Sequence, residues 1–335
     1  MNIRDVAKRA KVSTATVSRV MSGSDVVRPE TVERVRKAID ELGYVPNSSA
    51  RMLSMGRSKL FGVVISDITN PFFPDLIYTF NELAVQHKYR AVFANTNYSP
   101  ARMEAAIQSL LEQKVEGIAI MTSEMSPHLI RMIADRGIPM VFLDEPISQK
   151  NLSNIVVDYK SGMMQAIDHV LALGHKHLAF IGGPQNLRSA VWRQSIFLET
   201  LREKGLSMDD SYLATGNHRV DGGYSAMRKI LQNQPRPTAV LTSNDLTAIG
   251  AIAAIYEAGL HVPNDISIVG YDDIEISGAF NPPLTTVRLS RTEIATRAFF
   301  CLYSASNNQT SSPQVEHLIP TSLIIRKSTA PPPLG

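Results

Sequence analysis

Thr14, Ala15, Ser18 and Arg19 share the outward face of a short predicted helix, and their chemistry suits a surface that reads nucleic acid. An arginine can pair bidentately with guanine O6 and N7, whereas threonine and serine hydroxyls suit phosphate oxygens. Two elements must hold these residues in place. Ile3, Val6, Ala7 and Ala10 fall at i, i+3, i+4 and i+7, the apolar face of a first helix. Lys11-Val12-Ser13 interrupts it, and Ser13 can cap a second helix by accepting a bond from an N–H near Thr16. Val17, Val20 and Met21 point back at the first helix. Two short helices around a tight turn predict a helix-turn-helix whose second helix enters a major groove. The alternative is a pair of surface helices with Arg19 merely solvated.

Other residue types raise enzymatic chemistry and do not support it. Asp272-Asp273 is a carboxylate pair, but neighbours at a strand end point different ways and do not flank one bond. His175-Lys176-His177 lies at a helix-to-strand turn without an evident third metal ligand. Gly182-Gly183-Pro184 lacks the Gly-Lys-Ser/Thr ending of a phosphate loop, and no Gly-x-Ser-x-Gly elbow occurs. The expectation is a non-enzyme with no cofactor and no metal.

Charge separates the head of the chain from its body. Residues 1–59 carry 12 Lys and Arg against 6 Asp and Glu, and residues 60–335 carry 22 against 25. A basic head on a mildly acidic body is the footprint of a nucleic-acid-binding module joined to something else. The 335 residues allow two or three domains, and 44% hydrophobic content fills a large core. Cys301 is the single cysteine, so no internal disulfide or cysteine-based zinc site can form. No apolar run approaches the roughly 18 residues of a membrane span. Met1–Asp5 lacks the apolar core of a signal peptide. These features predict a soluble, cytoplasmic protein without a membrane partner.

Along the chain, Pro29 opens a third helix that runs to Leu42, with Gly43 as its stop. Val32, Val35, Ile39 and Leu42 form its inner face. In residues 47–59, Asn47 could cap about two helical turns ending at Gly56, marginal alone in water. The segment reads equally as a flexible linker or as a hinge that orders on DNA and presents Met52 or Leu53 to the minor groove. From Leu60 short β-rich runs alternate with helical stretches. Strands are predicted at 61–66, 90–95, 117–122, 138–143, 154–158, 177–182, 239–243 and 266–271. Helices are predicted at 73–87, 101–113, 162–173, 192–204 and 246–258. Such alternation implies parallel sheets covered on both faces, in two mononucleotide-type lobes. The Pro-rich segment from Ser328 to Gly335 reads as a disordered tail, and it carries no leucine heptads.

The motifs Ile3-Arg4-Asp5-Val6-Ala7, Val12–Val20, Gly43-Tyr44-Val45-Pro46-Asn47 and Ala50-Arg51-x-Leu53 resemble the lactose/galactose repressor (LacI/GalR) family. Asn70-Pro71-Phe72-Phe73, Leu173-Gly174-His175, Gly270-Tyr271-Asp272-Asp273 and Pro283-Leu284-Thr285-Thr286 extend the resemblance over essentially the whole chain. It implies a helix-turn-helix headpiece over residues 1–46, a hinge over 47–59 and an effector-binding core over 60–330. The core would be periplasmic-binding-protein-like, with two Rossmann-like lobes of parallel sheet. One lobe would take about 60–157 and 288–317, the other about 160–285 and 320–330, with residues 331–335 as the tail. The implied crossovers lie near Asp158–Lys160, Thr286–Leu289 and His317–Thr321. The implied activity is that of a homodimeric repressor bound to a near-palindromic operator and controlled by a small-molecule effector. Family base contacts fall on Thr14, Ala15 and Arg19, and the minor-groove lever on Leu53. Thr16, Ser18 and Tyr44 suit phosphates, and Asn47, Ala50 and Arg51 complete the DNA-binding set.

Ligands of open α/β lobes collect beyond the carboxyl ends of the strands. Phe72 and Phe73 follow the first core strand and could stack on a sugar or a base, or pack as core. Arg193 resembles the arginine that relatives aim at ligand hydroxyls. Asn244 and Asp272 match polar ligand contacts, although Asn244 could equally cap the next helix. Ser123, Ser189 and His218 complete the expected set, with Trp192, Asp144 and Asp158 as further candidates. His218 stands where purine-responsive relatives carry an aromatic, so the expected effector is a carbohydrate. A small-molecule-binding protein without operator recognition is the alternative reading.

Overall fold

The computed structural model describes residues 1–21, 26–44, 57–122, 125–144, 152–307 and 316–333. The chain divides into two compact units, Met1–Ser58 and Lys59–Gly335.

The first unit contains α1 (Ile3–Ala10), α2 (Thr14–Met21) and α3 (Pro29–Leu42). Asn2 caps α1: its Oδ1 accepts from the Arg4 N–H at 2.8 Å, and Asp5 Oδ2 accepts from the Asn2 N–H at 2.8 Å. This reciprocal box satisfies donors that a helix start leaves free. Lys11 closes α1 in the left-handed region, φ 54°. Ser13 Oγ accepts from the Thr16 N–H at 3.1 Å and starts α2 as expected. Val6, Ala7, Ala10, Val17, Val20, Val35 and Ala38 form the buried core of this unit.

The second unit holds two six-stranded sheets. The first lobe orders its strands β11-β5-β4-β3-β1-β2, all parallel. These are β1 (Leu60–Ile65), β2 (Arg90–Asn95), β3 (Ile118–Met121), β4 (Met140–Leu143), β5 (Leu152–Val157) and β11 (Glu316–Ile319). The second lobe orders β12-β10-β9-β8-β6-β7. They are β6 (Leu178–Gly182), β7 (Leu213–Thr215), β8 (Ala239–Thr242), β9 (Ser267–Asp272), β10 (Thr285–Leu289) and β12 (Thr321–Ile324). The second sheet is not wholly parallel, because β12 returns antiparallel to β10. Central strands such as β3, β8 and β9 are buried along their whole length, as sheets with helices on both faces require.

The helices that matter below are α4 (Phe72–Gln86), α5 (Pro100–Glu112), α6 (Pro127–Ala134), α7 (Tyr159–Ala172), α8 (Arg188–Glu203), α9 (Val220–Ile230), α10 (Asp245–Glu257), α11 (Glu275–Ala279) and α12 (Arg291–Ser306). An aromatic cluster fastens α4 and α12 to β1: Phe61 stacks on Tyr89 at 4.3 Å, and Phe299 meets Phe61 and Phe80 edge-on at 5.9 and 5.6 Å. The chain passes between lobes after β5, after β10 and after β11. The second passage follows Leu289, at the end of the Thr286–Leu289 segment, because Arg288 pairs with Asp272 and Leu289 with Thr321. The expectation of a disordered tail from Ser328 requires correction. Ser328 is fully buried, its Oγ donates to the Ile268 carbonyl at 2.6 Å, and its carbonyl accepts from the Ile268 N–H at 2.8 Å. Ala330 is fastened to Ser267 and to His175, and Pro332 follows over Gly174.

Candidate DNA-reading helix and effector cleft

On α2, Thr14, Ala15 and Arg19 are exposed, while Thr16 and Ser18 are half-buried. The Thr16 hydroxyl is 2.9 Å from Ser13 Oγ and so takes part in the cap. Tyr44 follows α3 with its ring packed against the headpiece core. Asn47, Ala50, Arg51 and Leu53 lie outside the described residues, as does Ser123.

In the core, strand ends from both sheets face a cleft of about 70 Å³ between the lobes. Phe72, Phe73, Ser189, Arg193, His218 and Asp272 all line it. Phe72 and Phe73 start α4 and meet edge-to-face at 5.3 Å, so both serve the cleft while being largely buried.

Arg193 projects from the first turns of α8 and is buried. Its Nη1 donates to the Ser243 carbonyl at 2.5 Å, its Nη2 lies 3.2 Å from Asp272 Oδ1, and its guanidinium carbon sits 4.1 Å from the Tyr271 ring centre. Burial works against the cation, and Asp272, Tyr159, Tyr271 and Asp144 together more than offset it, so the guanidinium keeps its charge. Burial also raises the pKa of Asp272, with Arg193 and Arg291 opposing. The 3.2 Å approach is an ion pair without hydrogen-bond alignment. Arg193 Nε and Asp272 Oδ1 have no hydrogen-bond partner among the described residues.

His218 hydrogen-bonds Ser243 Oγ through Nε2 at 2.8 Å, and burial followed by the Arg193 charge pushes its pKa down to about 3. The imidazole is neutral. A Cβ on Gly183 would lie 2.0 Å from that nitrogen, so glycine is what admits the ring. Asp144, at the end of β4, accepts from the Val157 N–H at 2.8 Å and the Tyr159 hydroxyl at 2.5 Å. Burial lifts its pKa to about 6.

Asn244 is not among the cleft-lining residues. It caps α10: Oδ1 accepts from the N–H and hydroxyl of Thr247, and Nδ2 donates to the His218 carbonyl at 3.0 Å. Its amide supports His218 from behind, with one N–H of Nδ2 left outside these bonds. Asp158 likewise caps α7 through Ser161, and Trp192 packs beside Tyr159. Residues that sequence reasoning missed include Ser66, Asn70, Tyr98, Thr122 and Tyr159 on the lining. Left-handed backbone marks the rim at Asn97, Tyr98, Asp144, His218 and Asp273, with Asp272 at φ 107°. Such strain gathers where surrounding structure fixes side chains for a ligand.

Residues 2–47 match the model of the bacterial regulatory proteins, lacI family, and residues 167–329 that of a periplasmic binding protein-like domain. The chain is 34% identical to the HTH-type transcriptional repressor PurR of Histophilus somni, over 97% of this chain and 98% of that one. The chain belongs to the lacI family. This lacI-family chain is similar in structure to a lac repressor dimer bound to operator and an anti-inducer, with a TM-score of 0.85, 29% identity and coverage of 98% and 99%. It is also similar to the regulator CelR in complex with cellobiose, with a TM-score of 0.74, 28% identity and the same coverage. The lacI-family protein is thus a DNA-binding repressor under allosteric control and not an enzyme. Among the described residues, no helix is long and apolar enough to cross a membrane.

Proposed function

We propose that this repressor binds a near-palindromic operator as a homodimer in the cytoplasm and that its cleft takes a carbohydrate. The observation that carries the effector reading is the Arg193–Asp272 pair, a buried donor beside a buried acceptor, each without a hydrogen-bond partner among the described residues. A ring hydroxyl both donates and accepts, so adjacent hydroxyls of one sugar answer both atoms. Ser66, Thr122 and Ser189 add hydroxyls around the cleft, and Phe72 and Phe73 add apolar surface for a sugar face. A purine is the second reading, favoured by the identity to PurR. His218 argues against it, because the neutral imidazole is tied to Ser243 where a purine would want an aromatic face.

Tyr78, Val85 and Phe93, exposed by 69%, 60% and 36%, give α4 and β2 an apolar surface that suits a second copy of the chain. In the DNA reading, Arg19 takes a guanine, Ala15 touches a thymine methyl, Thr14 completes the base contacts and Thr16, Ser18 and Tyr44 hold phosphates. Asn47, Ala50, Arg51 and the Leu53 lever complete the interface.

A thermal-shift panel of sugars, nucleobases and nucleosides on the full chain tests the effector reading. At 100 times Kd a ligand stabilises by about 2.7 kcal/mol, a shift of several degrees. Response to a monosaccharide supports the proposal, and response to a purine alone overturns it. Retention of genomic fragments against random competitor DNA tests operator recognition. Equal retention of both would leave only a small-molecule-binding protein.

A further inference from the structure

Three crossovers join the lobes, and sheet order places all of them at one edge. β5 and β11 are neighbours at one side of the first sheet, and β10 and β12 at the corresponding side of the second. The opposite edges are β2 beside β1, and β7. Asp67 follows β1, Asn97 follows β2, and Arg219 follows β7.

These three residues meet across the cleft. Arg219 Nε and Nη2 donate to Asp67 Oδ2 at 3.0 and 2.7 Å, and Nη2 also donates to Asn97 Oδ1 at 2.9 Å. Both acceptors are also fixed within their own lobe. Asp67 Oδ1 is occupied by the Thr69 N–H at 3.0 Å and the Thr69 hydroxyl at 2.6 Å, which leaves Oδ2 for the other lobe. Asn97 is held at φ 49°. Burial acts to raise the pKa of Asp67, but the hydrogen bonds from Thr69 and Arg219 outweigh it and hold the carboxyl below its usual range. Arg219 stands next to His218, whose carbonyl is pinned by Asn244, so its backbone is fixed to the wall of the cleft.

We infer that Arg219 is a latch: its bonds to Asp67 and Asn97, made at the edge opposite the crossovers, hold the lobes closed and set the fraction of closed protein. The inference goes beyond the effector reading and does not depend on which ligand the cleft takes. A contact opposite a hinge is the first to part when the lobes separate, so its loss acts directly on the open–closed ratio. Where only a fraction of molecules is competent to hold a ligand, affinity scales with that fraction.

The test is a distance measurement by pulsed electron paramagnetic resonance on the full chain. Spin labels go on the exposed positions Glu104 of α5 and Lys229 of α9, as E104C and K229C in a C301S background. Arg219→Gln is expected to add a longer-distance population and raise the open-to-closed ratio about five-fold, the size of a 1 kcal/mol change. Asp67→Asn is expected to act in the same direction. Raising NaCl from 0.05 to 1 M screens the half-exposed guanidinium of the pair, so salt should raise the open fraction of wild type and have no further effect on Arg219→Gln. Distance distributions that are the same in wild type and Arg219→Gln at low salt would overturn the latch. So would a salt response that persists undiminished in Arg219→Gln. The wild-type salt titration reads the latch even where a substitution impairs folding.

Discussion

Arg193 and Asp272 face each other at 3.2 Å, yet the Nε of one and the Oδ1 of the other make no hydrogen bond among the described residues. A buried polar atom left unmade costs about 1–3 kcal/mol. In the effector reading proposed above, a ligand that bonds both atoms recovers that cost.

Asp272→Asn keeps the shape and removes the neutralising charge from beside a buried guanidinium. Breaking a buried ion pair costs about 3 kcal/mol. Urea unfolding should show a loss of that size, and the thermal shift produced by the effector in the wild type should vanish. A preserved shift would separate Asp272 from ligand binding.

Gly183→Ala tests the seat of His218. The added Cβ falls 2.0 Å from Nε2, so the ring must leave Ser243. Overpacking of this kind costs about 1–3 kcal/mol. Effector affinity should fall while the headpiece keeps its nonspecific affinity for DNA, measured by titration at fixed salt.

Asp245 gives the stability a pH signature. The buried carboxylate accepts from the Ile274 N–H at 2.9 Å and the hydroxyls of Ser277 and Thr286 at 2.7 and 2.5 Å, and burial raises its pKa to about 7 from 3.8. A folded-state pKa above the unfolded one means that the folded protein binds more protons between the two values. The contribution is complete below pH 4 and is lost as pH rises through 7. Asp245→Asn has no such loss. Wild-type stability minus that of Asp245→Asn should therefore decline from pH 4 to 7 and level off above it, and a flat difference would contradict the assignment.

Arg19→Ala should relax base preference at one operator position by about 1–3 kcal/mol with the fold intact. Selection of binding sites from a random library reads this directly. Unchanged specificity would remove Arg19 from base readout.

The headpiece was readable almost residue by residue, because its caps and its i, i+3, i+4 pattern are local. Core strands were legible where apolar runs are long. They were not legible for β7, three residues in length, or for β10 to β12, where Arg288, Glu316 and Ser322 interrupt the runs. α9 escaped notice because Gly222 and Gly223 weaken a helical pattern, although Gly223, with Gly250 of α10, is what lets the two helices approach so closely. The proline-rich end looked unstructured, since nothing in Ser328-Thr329-Ala330 announces that Ser267 and Ile268 will bond it. Asn244 and Asp272 looked alike as polar residues after strands. Only the positions of Thr247 and Arg193 separate a cap from a cleft wall. Arg219 left no local trace at all, because its partner Asp67 lies 152 residues away.

The lobe that begins the core is completed only near the end of the chain. Its α12 and β11 are supplied by Arg291–Ser306 and Glu316–Ile319, after the whole parallel part of the other sheet. Phe61 and Phe80 therefore wait for Phe299. During synthesis, the nascent N-terminal lobe carries an uncovered aromatic face until nearly the full polypeptide has emerged, and a product truncated before α12 leaves both lobes unfinished.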